Sequence, residues 1–287
     1  MFPAGAGKFV EGKMPNESRE EQARRVTEQI FEKWHDAAPD TDLIRFGAEW
    51  DPENEVAFRS VNWGFFSSDK PRYLDHKTRE MIVSGLLAFR ASPGTYTHVL
   101  KAMRLGATVN QMLEVFEIAN IPGGGPTRTF GTKAVRQVVE ELKHSGPVDR
   151  PPRPAEPAPP VNESRDERVR RIQRRIFSDL GHEDEAIALG VELDPDYFEI
   201  YSRVFWGFFE GRDHHLEATT REFVAMVIYA FKNMGEDVYH HVRKALRLGA
   251  TMHQILECFE VCVAPGGLAT LHVGLRALAR ARRDGLG

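Results

Sequence analysis

Cysteine is nearly missing from this 287-residue chain: only Cys258 and Cys262 occur, four positions apart on one helical pattern. Two thiols cannot build a disulfide framework. With Val115 and Ala119 at the matching positions of the first half, they read as small core side chains rather than a redox pair. An excess of one charge is missing too, since 38 Lys and Arg oppose 42 Asp and Glu for a net charge of −4. Neither nucleic acid nor an anionic membrane is therefore an expected partner. No stretch approaches the about 18 uninterrupted apolar residues of a membrane span, and Met1 to Pro15 lacks the apolar run of a secretory signal. The expectation is a cytoplasmic protein that handles a small molecule. Strand-like alternation is also absent, which leaves an all-α fold, and 41% hydrophobic residues suffice for a core in each of two domains.

What is present is a tandem repeat. Tyr96-Thr-His98-Val-Leu-Lys101-Ala-Met-Arg104-Leu-Gly-Ala-Thr108 recurs as Tyr239-His-His241-Val-Arg-Lys244-Ala-Leu-Arg247-Leu-Gly-Ala-Thr251. Trp63-Gly-Phe-Phe pairs with Trp206-Gly-Phe-Phe, Thr78-Arg-Glu80 with Thr220-Arg-Glu222, and Pro122-Gly-Gly with Pro265-Gly-Gly. The period of about 143 residues is a domain length, not a solenoid unit. The expected division is one repeat over residues 1–145, a linker over 146–160 and a second repeat over 161–287. The linker carries seven of the seventeen prolines, which favours an extended, semi-rigid spacer.

Helix signals repeat in step. Each half opens on a charged amphipathic segment, Glu17 to Ala37 and Glu163 to Leu180. Asp51-Pro52 and Asp194-Pro195 then combine a capping carboxylate with a first-turn proline. Asp75 caps a segment through Phe89 whose counterpart, Phe223 to Phe231, is apolar on every side and so should be central. Gly106 and Gly249 fit left-handed helix ends, while Thr108-Val-Asn-Gln111 and Thr251-Met-His-Gln254 fit reciprocal capping boxes. The two Pro-Gly-Gly segments interrupt the last two helices of each half.

Candidate chemistry lies on these elements. His98 shares a helix stripe with Ala102 and Leu105, and His241 with Ala245 and Leu248, so both imidazoles should face inward. Glu80 and Glu222 sit in the first turns of the central helices. If those helices pack against the histidine helices, carboxylate and imidazole can meet and exchange protons; the alternative is a core histidine and a helix-start acid. Arg79 and Arg221 share that first turn, where a cation needs an anionic partner, either a protein carboxylate or a substrate carboxylate. Lys101 with Arg104, and Lys244 with Arg247, could clamp an acid or lie on a solvated face. Trp63 and Trp206, with their Gly-Phe-Phe neighbours, could wall a pocket or fill the core. His214-His215 and His240-His241 are adjacent pairs without metal-ligand spacing, so no metal site is expected. The glycine-rich Pro122 to Pro126 segment follows a helix and lacks the residues of a phosphate loop.

The order Leu-Asp-x-Lys-Thr-Arg-Glu, a buried helix, His-Val-x-Lys-Ala-x-Arg-Leu-Gly-Ala-Thr-x-x-Gln and a Pro-Gly loop resembles the carboxymuconolactone decarboxylase and alkyl hydroperoxidase D superfamily. The resemblance covers the C-terminal hundred or so residues of each half. It implies two tandem all-helical domains and a homo-oligomer, a trimer of duplicated chains or a dimer. The peroxidase branch carries Cys-x-x-Cys-x-x-x-His, but here those cysteine positions are Ala91 and Gly94, or Met234 and Asp237. Without a thiolate, thiol peroxidation is disfavoured. The thiol-free branch implies cofactor-free decarboxylation of an unsaturated lactone or ring-derived carboxylic acid. In that reading Glu80, His98, Glu222 and His241 transfer protons, and Arg79, Arg221, Trp63 and Trp206 bind substrate. The Tyr-Ala-Gly-x-Pro segment usual in that branch is replaced by Ile121-Pro-Gly-Gly-Gly125 and Ala264-Pro-Gly-Gly-Leu268. Isomerisation or hydrolysis of a related cyclic acid, or a non-catalytic ligand-binding or structural oligomer, remain alternatives. The second half, with His240 and with His272 where the first has Thr129, is the favoured site.

Overall fold

The computed structural model describes residues 14–34, 41–52, 54–55, 73–143, 162–180, 183–209 and 214–286. Among these residues every regular element is a helix. They run α1 (Arg19–Trp34), α2 (Thr41–Trp50), α3 (His76–Phe89), α4 (Gly94–Arg104), α5 (Val109–Gly123) and α6 (Gly125–Glu141). The second half continues with α7 (Arg165–Leu180), α8 (Glu185–Leu193), α9 (Pro195–Phe209), α10 (Ala218–Phe231), α11 (Gly235–Arg247), α12 (Met252–Val261) and α13 (Val263–Arg283). The expected proline-rich spacer falls outside the described residues.

Local chemistry sets the boundaries. Asp75 Oδ1 accepts from the Thr78 N–H at 2.9 Å and starts α3. Asp194 does the same for α9 through the Tyr197 N–H at 3.0 Å. Thr108 and Thr251 each close a reciprocal capping box with Gln111 and Gln254. Gly106 and Gly249 take φ of +92° and +95°. That turn lets the Ala107 N–H reach the Ala102 carbonyl at 2.9 Å and the Ala250 N–H reach the Ala245 carbonyl at 3.0 Å, which satisfies the helix end. At the two Pro-Gly-Gly segments the backbone breaks at the third position, Gly124 with φ +75° and Gly267 with φ +76°. The prolines themselves remain helical, because the kink falls after them.

Helices α3 and α10 form the centre. Every residue from Thr78 to Ala88 and from Thr220 to Ala230 is buried, as an element without a polar face requires. The two pack on each other, and α4, α5 and α6 or α11, α12 and α13 wrap them. The helices that open the second half gather separately around Val169, Ile172, Ile176 and Val191. Arg171 braces that group, with Nε 2.8 Å from Glu163 Oε1 and Nη2 2.7 Å from Glu199 Oε2.

The halves are tied by buried polar contacts as well as by apolar packing. Glu257 of α12 accepts from the N–H groups of Tyr73 and Leu74 at 2.8 and 2.9 Å, just before α3. Glu114 of α5 accepts from those of His215 and Leu216 at 2.6 and 3.1 Å, just before α10. Each half therefore supplies the carboxylate that holds the start of the other half's central helix. Arg90 and Lys232 complete the exchange by donating to the carbonyls of Pro265 and Pro122.

Candidate active site

The packing of α3 against α4 brings Glu80 and His98, 18 positions apart, into direct contact: Nδ1 lies 2.5 Å from Oε2. In the second half α10 and α11 do the same with Glu222 and His241, at 2.7 Å. All four residues are buried. The expected inward stripe holds for His98, Ala102, His241 and Ala245. Leu248 departs from it and is 45% exposed, because α11 has already ended at Arg247.

A carboxylate at Nδ1 fixes one tautomer. In the neutral ring the Nδ1–H then donates to the glutamate, and the ring lone pair sits on Nε2. Burial strengthens this hydrogen bond, because little water competes for either partner.

The basic residues divide in a way the linear pattern did not reveal. Lys244 turns its Nζ to 3.5 Å from Glu222 Oε1, the oxygen that His241 does not use. Lys101 is largely enclosed; burial pushes its pKa down and the Glu80 charge partly restores it. Arg104 instead lies in the half-exposed rim, 3.9 Å from Glu141. One member of each expected clamp belongs to the site, and in the first half the other is at the surface.

Arg79 and Arg221, for which the sequence left either a protein or a substrate carboxylate as partner, face protein groups. Arg79 Nε is 2.8 Å from Glu257 Oε1, with both side chains essentially inaccessible, and its Nη2 donates to the Leu74 carbonyl at 2.7 Å. Arg221 Nη1 donates to the Leu216 carbonyl at 2.7 Å and lies 4.0 Å from Glu114. These arginines bind the same loops that Glu257 and Glu114 hold. Their physical reason is cross-half anchoring: a first-turn cation is opposed by its own helix dipole and offset by an acid from the neighbouring half.

Glu114 also contacts His214, with Nδ1 2.7 Å from Oε1. Burial alone would raise the Glu114 pKa, but hydrogen bonds from His214, His215 and Leu216 outweigh it and hold the carboxyl below its usual range. The acids were legible only as interruptions of apolar helices, in Leu-Glu-Val-Phe-Glu and Leu-Glu-Cys-Phe-Glu. Nothing in the linear pattern says which loop they reach.

Further features make the halves unequal. Tyr229 stacks on His241 with centroids 5.2 Å apart and planes at 22°. Its phenol is pushed well above the usual range by burial, so it stays neutral. His240 adjoins His241 edge-on at 5.3 Å. Burial above all pushes its pKa down to about 3. His272 is exposed and does not belong to this cluster. Cys258 and Cys262 are fully buried, and burial pushes both thiols up, so neither supplies a thiolate. Trp63 lies outside the described residues, and so does the side chain of Trp206. Among the described residues no three His, Cys, Asp or Glu side chains are grouped to hold a metal ion, and no helix is long and apolar enough to cross a membrane.

Comparison with known proteins agrees with this architecture. Residues 195–280 match the model of the carboxymuconolactone decarboxylase family. Across nearly the whole chain, the fold is similar to a crystal structure from Burkholderia xenovorans LB400, provisionally named a gamma-carboxymuconolactone decarboxylase subunit. The two share 25% identity and a TM-score of 0.59 over 91% of this chain and 98% of that one. No curated protein matches the sequence significantly. The matched second-half segment and the shared whole-chain fold support the likeness of this protein to the carboxymuconolactone decarboxylase and alkyl hydroperoxidase D-like superfamily.

Proposed function

We propose that this protein is a cofactor-free decarboxylase acting on an unsaturated lactone or ring-derived carboxylic acid. The observation that carries the reading is the buried Glu–His hydrogen bond, at 2.5 Å in one half and 2.7 Å in the other. In the proposed reaction the bond between the ring carbon and the carboxylate breaks, and its electron pair moves into the conjugated lactone carbonyl as an enolate. Carbon dioxide leaves. An imidazolium at His98 or His241 then delivers its Nε2 proton to that carbon and regains a proton from solvent, while Glu80 or Glu222 stabilises the transient ring charge. The Trp63 and Trp206 segments are proposed to supply apolar walls that exclude water.

Arg79 and Arg221 are engaged with protein groups, and this favours keeping a second reading: the same dyads isomerise or hydrolyse a related cyclic acid that needs no carboxylate clamp. Product mass separates these outcomes. Incubation with a panel of unsaturated lactone acids, beginning with gamma-carboxymuconolactone, gives loss of carbon dioxide under the first reading. Gain of water or unchanged mass supports the second. Conversion of no panel member, with binding seen by calorimetry, contradicts both and favours a ligand-binding role.

We further read the two halves as an internal duplication, divided at residues 145 and 160, in a cytoplasmic homo-oligomer that is a trimer of duplicated chains or a dimer. The matched motifs about 143 residues apart support the duplication. Exposed Phe46 and Trp50 on α2, and Leu189 and Leu193 at the corresponding positions of α8, support an assembly that covers them.

A further inference from the structure

We propose that Lys101 and Lys244 are positioning residues: each ammonium holds the dyad glutamate ionised, so that the histidine rests neutral, with its proton on Nδ1. The inference rests on the proton-transfer reading of the dyads and adds the group that sets their resting charge. In the second half Glu222 is shared between two partners on α11. His241 Nδ1 takes Oε2 at 2.7 Å and Lys244 Nζ lies 3.5 Å from Oε1. The glutamate side chain is 2% exposed and that of the lysine 22%. Histidine and lysine stand three positions apart, so they project from one face of the helix towards the same carboxylate. Lys101 holds the same position after His98 in the first half, where its coupling to Glu80 is an attraction.

Charge balance gives the consequence. A buried carboxylate needs one cation, and either the imidazolium or the ammonium can supply it. With lysine present the balance is already met, and a protonated histidine would be a second cation in a poorly solvated place. His240, beside His241, shows how poorly solvated the place is: burial is the chief cause that disfavours its charged form. Among the described residues Glu222 also couples to Arg221 on α10, whose guanidinium is turned to the Leu216 carbonyl and Glu114 of α5, and His240 and Arg243 of α11 lie in the same cluster. Arrival of an anionic substrate adds a negative charge and shifts the balance, so the histidine takes up a proton when there is a carbanion to quench. The lysine thus makes the acid form conditional on the ligand.

The test needs no substrate, so its failure is distinguishable from failure of the decarboxylase reading. The full chain is labelled with 15N-histidine and the ring nitrogens are followed by NMR near neutral pH, with His241 assigned by loss of its signals in His241→Asn. The expected result is a neutral Nδ1–H tautomer in the wild type, an imidazolium signature in Lys244→Met, and return of the neutral tautomer in Lys244→Arg. A purely structural lysine would leave the ring signals unchanged. An unchanged His241 in a folded Lys244→Met protein, or a wild-type His241 that is already imidazolium, overturns the proposal. If Lys244→Met does not fold, Lys101→Met read at His98 makes the same test with the same two outcomes.

Discussion

Glu257 is fully buried, accepts from two backbone N–H groups and faces the equally buried Arg79. Glu257→Gln keeps the shape but leaves the guanidinium without its charge partner, and breaking a buried pair in this way costs about 3–5 kcal/mol. Chemical denaturation should show a loss of that size. A change under about 1 kcal/mol would mean that the pair does not anchor the loop. Glu114 gives a pH-dependent counterpart. Its folded-state pKa is depressed, so it contributes stability above the unfolded carboxyl value, and that contribution disappears as pH falls through the lower folded value. Glu114→Gln should therefore flatten the acid limb of a stability-versus-pH curve. The dyads were legible in the sequence because helical periodicity turned His98 and His241 inward and first-turn placement located Glu80 and Glu222. The partners of Arg79 and Arg221 were not, because a contact between halves has no local period to betray it.

Helix packing in both halves depends on a glycine under a phenylalanine ring. Gly131 of α6 lies against Phe116 of α5, and Gly274 of α13 lies against Phe259 of α12; a Cβ added at either glycine would sit inside the ring's van der Waals surface. Alanine favours a helix over glycine by about 1 kcal/mol, yet overpacking a rigid core costs about 1–3 kcal/mol. Both phenylalanines are inaccessible, so neither ring can swing away and the steric cost wins. Gly274→Ala should lower the melting temperature by several degrees; a rise would show that the helices have room to part. The caps, the left-handed glycines and the all-apolar central helices could be read directly, since each is a property of neighbouring residues. The Gly–Phe contacts could not, because a glycine inside a helix looks the same whether it weakens the helix or admits a neighbour.

Across the whole molecule, α3 and α10 share one core, and each half holds the other's central helix by a buried acid. Neither half can shed the other without exposing apolar surface and stranding Arg79 or Arg221. Calorimetry should accordingly record one unfolding transition for residues of both halves, and two separated transitions would contradict this coupling. The functional account is likewise doubled, with a Glu–His pair in each half. Its most direct test is turnover on whichever lactone acid of the panel proves to be converted, with product mass recorded for the wild type, His98→Gln, His241→Gln and the double variant. The account predicts loss of carbon dioxide in the wild type and, in the double variant, a rate lower by about 10²- to 10⁴-fold in a folded protein. A double variant that turns over as fast as the wild type would contradict it.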